Sequence, residues 1–162
     1  EKEIENWIKY SVESLNALAK YAKPMDINVI VENHGGLSSN ASLVMKVINQ
    51  VNLENCGTLP DFGNFCMSEG YGALRDRNCR DLYDPYLGIS EMLPRAFGLS
   101  AKSYEFDSDG HETVLDYYKL LSIAKNAGYT GYIGVEYEGS KLSEIDGIIA
   151  TKKLLEKAAS KI

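Results

Sequence analysis

Carboxylates recur at the ends of short apolar runs in this chain. Glu32 closes the run from Ile27 to Val31. Asp61 follows Cys56-Gly57-Thr58-Leu59-Pro60, and Glu136 and Glu138 close a run that begins at Tyr132. A further run, from Phe97, passes through Ser100 and Lys102 to Glu105. One acid at such a place serves more often as a helix cap or a solvated loop residue, but recurrence at corresponding ends points to a shared pocket. Carboxylates that converge repel one another and require a cation. Hard oxygen donors with a histidine nearby, here His34, suit Mg²⁺, Mn²⁺ or Zn²⁺. On its own, His34 reads as a loop residue making one hydrogen bond.

Other reactive side chains have plainer readings. Tyr117, Tyr118 and Tyr129 read as packing residues with wet hydroxyls. Arg75, Arg77 and Arg80 alternate with Asp76 and Asp81, as in a self-paired solvated loop rather than a phosphate site. Cys66 has no partner at a catalytic spacing and reads as a small buried residue. Gly35-Gly36 is too short to define a phosphate loop.

The elements that position the acids follow from periodicity. Ile4, Trp7, Ile8, Leu15, Leu18 and Ala22 recur at helical steps, and Pro24 stops that helix. Ile27–Glu32 is a β-branched strand, apolar on both faces over 29–31 as in a covered parallel sheet. Ser39 or Asn40 caps a helix carrying Leu43, Val44, Val47, Ile48 and Val51. Cys56–Leu59 is a short strand, followed by a polar stretch from Gly63 to Arg80 and a helix from Tyr83 to Leu93. Phe97–Phe106 is a third strand and Asp107-Ser108-Asp109-Gly110 a turn. Thr113 with Asp116 resembles a capping box for a helix over Val114–Ala127, with Gly128 as its stop. Tyr132–Tyr137 is a fourth strand and Leu142–Ala159 the last helix.

Strands alternating with helices imply a parallel sheet with helical crossovers. Two architectures fit, a small doubly wound sheet or half of an eight-unit barrel. The first helix has no strand before it, which favours the half-barrel.

The 162 residues fit a single domain, and their 44 % hydrophobic and 25 % charged composition is that of an ordinary globular chain. No apolar run is long enough to span a membrane. A net charge of −6 argues against generic nucleic-acid binding. Cys56, Cys66 and Cys79 form no CxxC pair, and their odd number suggests no disulfide framework and a reducing, cytoplasmic setting. Residue 1 is Glu rather than Met, so a processed product or a fragment, and with it a lost targeting segment, is an open reading.

Three segments carry a family resemblance. Val31-Glu32-Asn33-His34-Gly35-Gly36, Leu59-Pro60-Asp61-Phe62-Gly63-Asn64-Phe65 and Ile133-Gly134-Val135-Glu136-Tyr137-Glu138-Gly139 resemble the sugar phosphate isomerase/epimerase group of the xylose isomerase-like barrel superfamily. The resemblance runs from about residue 4 to residue 158. It implies an α/β fold in which parallel βα units form the C-terminal half, strands five to eight, of a (β/α)8 barrel. Residues 1–162 would then be one partial-barrel domain whose N-terminal half is missing. It further implies Glu32 and Glu136 as the acid/base pair, Glu32, Asp61 and Glu136 as metal ligands, and His34, Asn64 and Lys102 as substrate-binding residues. The family's strand-seven ligand is a His in a His-x-Lys pattern. Here the pattern is Ser100-Ala101-Lys102, which puts the divalent metal (Mn, Mg or Zn) in question.

The implied reaction is isomerisation or epimerisation of a sugar or sugar phosphate. One carboxylate removes a proton beside a carbonyl and another returns it, and a divalent metal stabilises the enediolate. The alternatives are a non-catalytic carbohydrate-binding barrel and a metal-dependent hydrolase of the endonuclease IV type. The second needs more histidines than His34 and His111 supply. A half-barrel also leaves edge strands near Ile27 and Tyr132 unpaired and Val29, Leu59 and Ile133 open on one side. Pairing with the N-terminal half or with a second copy is therefore expected, and no nucleic-acid or membrane partner.

Overall fold

The computed structural model describes residues 1–162 other than 69–71 and 75–78. Arg75, Asp76 and Arg77, read above as part of a self-paired loop, lie outside the described residues. The order is α1 (Lys2–Ala22), β1 (Val29–Glu32), α2 (Ala41–Val51), β2 (Cys56–Leu59), α3 (Pro85–Met92), β3 (Leu99–Ser103), α4 (Tyr117–Asn126), β4 (Ile133–Tyr137) and α5 (Glu144–Ala159). Among the described residues no helix is long and apolar enough to cross a membrane.

Helix starts are set by side chains that satisfy otherwise unpaired backbone donors. Asn40 accepts from the Leu43 amide, Asp84 from Tyr86 and Leu87, and Ser143 from Asp146. The fourth helix starts later than its apolar pattern suggests. Asp116 is its cap, accepting from the Lys119 amide, in place of the expected box with Thr113. The reason lies just upstream: the Glu112 carboxylate takes the amides of Val114 and Leu115 and holds them outside the helix. The other Glu112 oxygen accepts from Tyr104 and Glu105, which ends β3 at Ser103 rather than Phe106. Gly128, at φ +73°, follows α4 as the expected stop.

Both laddered strand pairs among the described residues are parallel. In the first, Val29 lies opposite Cys56 and Glu32 opposite Leu59; in the second, Leu99 lies opposite Ile133 and Ser103 opposite Tyr137. Between β2 and β3 there are only isolated bridges, Thr58 opposite Ala96 and Asp61 opposite Ser100. The register slips by one residue between these bridges, as at a bulge, and Pro60 has no N–H to give to the ladder.

One face of the strands is covered by the helices. Cys56, Leu99 and Ala101 share a buried cluster with Val44 and Ile48 of α2, Ile89 and Met92 of α3, Leu120 of α4 and Leu154 of α5. Burying each of the larger aliphatic side chains contributes about 1.5–3 kcal/mol. Val29, Val31 and Ile133 pack against this cluster, so Val29 and Ile133 are not the residues left open. Alternation along a strand puts Ile30 with Glu32, and Tyr132 with Gly134 and Glu136. Ile30 is 41 % exposed and Tyr132 91 % exposed. The 29–31 run is therefore covered on one face only.

Two expectations about side chains are corrected. Tyr117 is buried and its hydroxyl is dry, donating to the carbonyls of Ala101 and Lys102 at 3.1 and 2.8 Å. Cys66 is joined to Cys79 in a disulfide, while Cys56 is a buried free thiol. An odd count hides a pair when the loop folds back on itself. Here Cys66 bridges antiparallel to Leu82, and the Met67 amide bonds the Asp81 carbonyl, which brings the two cysteine Cα atoms to 5.7 Å.

Candidate active site

Glu32 is the last residue of β1, Asp61 lies just past β2, and Glu136 is the penultimate residue of β4. Parallel strands of equal sense bring these ends to one side of the molecule. One oxygen from each of the three carboxylates lies within 4.8 Å of the others. Asp61 is fully buried; Glu32 and Glu136 are half-buried.

Asp61 is held by its surroundings. One carboxylate oxygen, Oδ1, accepts from the Gly63 amide at 2.9 Å, and the other, Oδ2, is buried with no hydrogen-bond partner. Burial pushes the Asp61 carboxyl well above the ordinary range, an effect that the nearby Lys102 charge opposes. Gly63 is required by packing. A Cβ there would lie 2.5 Å from the Tyr104 hydroxyl and 2.9 Å from Cδ of Lys102. The Tyr104 hydroxyl in turn donates to the Gly63 carbonyl at 2.9 Å and fixes the turn.

Lys102 and Ser100 project from β3 on the same side. The Lys102 ammonium lies 3.2 Å from Glu136 Oε1, 3.2 Å from Glu138 Oε1 and 3.0 Å from Asn64 Oδ1. Burial disfavours its charge, but Asp61, Glu136 and Glu138 outweigh that and raise its pKa above the usual lysine value. Ser100 donates to Glu136 Oε2 at 2.9 Å. Burial alone would raise Glu136, but the Ser100 hydroxyl and the Lys102 charge bring it below the usual range. Glu32 moves the other way: burial raises it, His34 opposes, and Glu136 adds to the rise.

Asn64 spans the site. Its amide nitrogen approaches Glu32 Oε1 at 3.4 Å while its oxygen accepts from Lys102. Both polar ends of this buried residue are thus engaged with site side chains. His34 is exposed at the rim, and its backbone amide donates to Ser38 at 3.1 Å.

Four residues that position the site have no site role assigned to them from the sequence. Asn33, fully buried, hydrogen-bonds the backbone of Asp61 and Asn64. Ser39, also buried, donates to the Asn64 carbonyl at 2.7 Å. Tyr104 and Glu112 set the turn and the end of β3. A polar residue directly after a strand-ending acid, as Asn33 is, offers the one usable signal, since alternation turns it away from the acid's face.

Among curated proteins, 66 residues of the chain are 33 % identical to the C-glycoside deglycosidase alpha subunit of Arthrobacter globiformis, covering 39 % of the chain and 19 % of that protein. Among solved structures, the 3-keto-D-glucoside 4-epimerase of E. coli superposes with a TM-score of 0.69 at 14 % identity, covering 95 % of the chain and 55 % of its own. A D-tagatose 3-epimerase-like protein gives 0.67 at 15 % identity, with 94 % and 54 % coverage. The chain spans about a fifth of the curated relative and about half of each structure, and the fold it shares with the two structures is a partial barrel. The family described as xylose isomerase-like TIM barrel matches residues 1–159, and with four parallel βα units whose acids meet at one end, the chain belongs to that family.

Proposed function

We propose that this chain carries the acid/base residues of a sugar or sugar-phosphate isomerase or epimerase. The observation that carries the reading is the convergence of Glu32, Asp61 and Glu136 within 4.8 Å at the strand ends. Glu32 and Glu136 stand on the two outer strands, so a sugar bound between them meets a carboxylate on either face of the carbon beside its carbonyl. One takes the proton and the other returns it. Asn64 keeps Glu32 in register with the ammonium of Lys102, and Ser100 orients Glu136. His34 at the rim, with Asn64 and Lys102, contributes to substrate binding. The names of the similar proteins, which concern ketoses and glycosides, support a sugar as the substrate class.

The donor set fits a divalent cation. The buried, unpartnered Asp61 Oδ2 is an oxygen that a cation would satisfy, and Glu32 and Glu136 supply the other hard donors. These three residues would hold Mn, Mg or Zn, which when bound supplies Lewis-acid polarisation of the substrate carbonyl.

Residues 1–162 are read as one partial-barrel domain whose open strand edges and exposed Ile30 and Tyr132 are covered by the other half-barrel or, without it, by a second copy. Sedimentation across a concentration series checks this; a micromolar monomer with sharp unfolding rejects it.

The catalytic reading is tested by incubating the purified chain, with and without its complementary half, with ketoses and ketose phosphates in D2O. Deuterium entering the carbon beside the carbonyl supports it; sugar binding without exchange rejects it. The second outcome belongs to a non-catalytic carbohydrate-binding barrel, a reading kept open by Ser100, which stands where the resemblance implies a histidine ligand.

A further inference from the structure

Lys102 is 1 % exposed, an unusual setting for an ammonium, and three acceptors surround it. Glu136, Glu138 and Asn64 lie at 3.2, 3.2 and 3.0 Å, which matches the three N–H donors of a lysine. Its aliphatic stem packs against Gly63, where no Cβ fits, and its carbonyl is held by the Tyr117 hydroxyl. The head group is thus confined from both ends of the side chain. Glu136 has both oxygens occupied, Oε1 by Lys102 and Oε2 by Ser100. A cation that uses Glu136 has to share its oxygens with these two donors, and it meets a fixed positive charge beside it.

We propose that Lys102 is a positioning residue that acts as the built-in counter-cation of the carboxylate cluster, holding Glu136 and Asn64 in place and competing with a divalent cation for Glu136. This rests on the reading that Glu32, Asp61 and Glu136 hold a cation, and it adds that the chain tunes that affinity from within. The Ser100 hydroxyl acts in the same direction, since it donates its proton to Glu136 Oε2 and so adds a second partner for that carboxylate.

The test is calorimetric titration of Mn²⁺ into the wild type, Lys102→Met and Lys102→Arg, in the absence of any sugar. Lys102→Met keeps the stem and removes the charge, and it is expected to bind Mn²⁺ at least about tenfold more tightly than the wild type. Its thermal midpoint in chelator falls and is restored by Mn²⁺, a recovery that a purely structural lysine would not give. Lys102→Arg, which keeps the charge, stays within about threefold of the wild type. Unchanged or weaker binding by a folded Lys102→Met, an equal gain by Lys102→Arg, or no Mn²⁺ binding by any form overturns the proposal. If Lys102→Met does not fold, wild-type protein with ¹⁵N-labelled lysine decides. A saturable shift of the Lys102 ammonium resonance on adding Mg²⁺ supports competition, and a resonance unmoved by saturating Mg²⁺ overturns it. Deuterium exchange into ketoses reports separately on the isomerase reading, so a tenfold gain without exchange rejects that reading alone, and exchange without the gain rejects this one alone.

Discussion

Asn33 grips the backbone of Asp61 from both sides: its Oδ1 accepts from the Asp61 amide at 2.7 Å and its Nδ2 donates to the Asp61 carbonyl at 3.0 Å. The side chain thereby imitates one more rung of the β1–β2 ladder beyond its last pair, Glu32 with Leu59. The same Nδ2 also reaches the Asn64 carbonyl at 3.1 Å. Asn33→Ala leaves two buried backbone groups of Asp61 without a partner, each costing about 1–3 kcal/mol, while the Asn64 carbonyl keeps the Ser39 hydroxyl. We expect a total loss of about 2–4 kcal/mol by denaturant unfolding, below a simple sum because a water fills part of the space. Asn33→Asp, which keeps the acceptor and removes both donors, is expected to be at least as damaging.

Glu32 and Glu136 are proposed to exchange the substrate proton, so replacing either carboxylate by its amide removes the transfer while keeping the shape. Glu32→Gln and Glu136→Gln are each expected to slow isotope exchange into a ketose by about 10²–10⁴-fold. The variants should differ in stability. Glu136→Gln leaves Lys102 with less compensation and lowers the unfolding midpoint, whereas Glu32, approached by the Asn64 amide at a long 3.4 Å, tolerates the change.

Glu105 supplies an acid-dependent contribution to stability. The Ser140 amide at 2.9 Å, opposed by partial desolvation and assisted by the Ser140 hydroxyl and Lys141, holds its carboxyl below the usual range. A depressed carboxyl stabilises the folded state above its unfolded pKa, and that contribution is lost as the pH falls through the folded value. Thermal midpoints of the wild type and Glu105→Gln should therefore differ at neutral pH and draw together as the pH falls below the usual carboxylate range.

The Cys66–Cys79 disulfide closes a loop between residues 13 apart, next to the turn that carries Asn64. In the chain-entropy account a loop of this length stabilises by about 3 kcal/mol. Reduction by a dithiol under native conditions is expected to lower the thermal midpoint, and the Cys66→Ser/Cys79→Ser double variant to match the reduced wild type.

Much of this arrangement was legible in the sequence. The strand ends at Glu32, Asp61 and Glu136 follow from apolar runs that stop at an acid, and their meeting follows from parallel crossovers. Parity was the subtler matter. A run such as Val29-Ile30-Val31 is equally apolar at each position, so nothing local tells which side chain faces helices and which faces the open side. Only the shared phase with Glu32 settles it. The start of α4 and the end of β3 were misplaced because Glu112, an acid without a motif, captures four amides at long and short range. The disulfide was hidden because pairing depends on how the loop after β2 folds back, not on spacing.

The bulge opposite Pro60 has a mechanical meaning. Three backbone hydrogen bonds cross from the β2 side to the β3 side: Phe97 N to Thr58 O, Ser100 N to Pro60 O and Phe62 N to Ser100 O, each 3.0 Å. Glu32 and Asp61 stand on one side of this seam, and Ser100, Lys102 and Glu136 on the other. The reactive cluster is therefore itself a fastening across the sheet's thinnest joint. A widening of this seam would part Glu32 and Asp61 from Glu136 and Lys102 while leaving both laddered pairs whole, so the carboxylate cluster is drawn together only as far as the seam is closed.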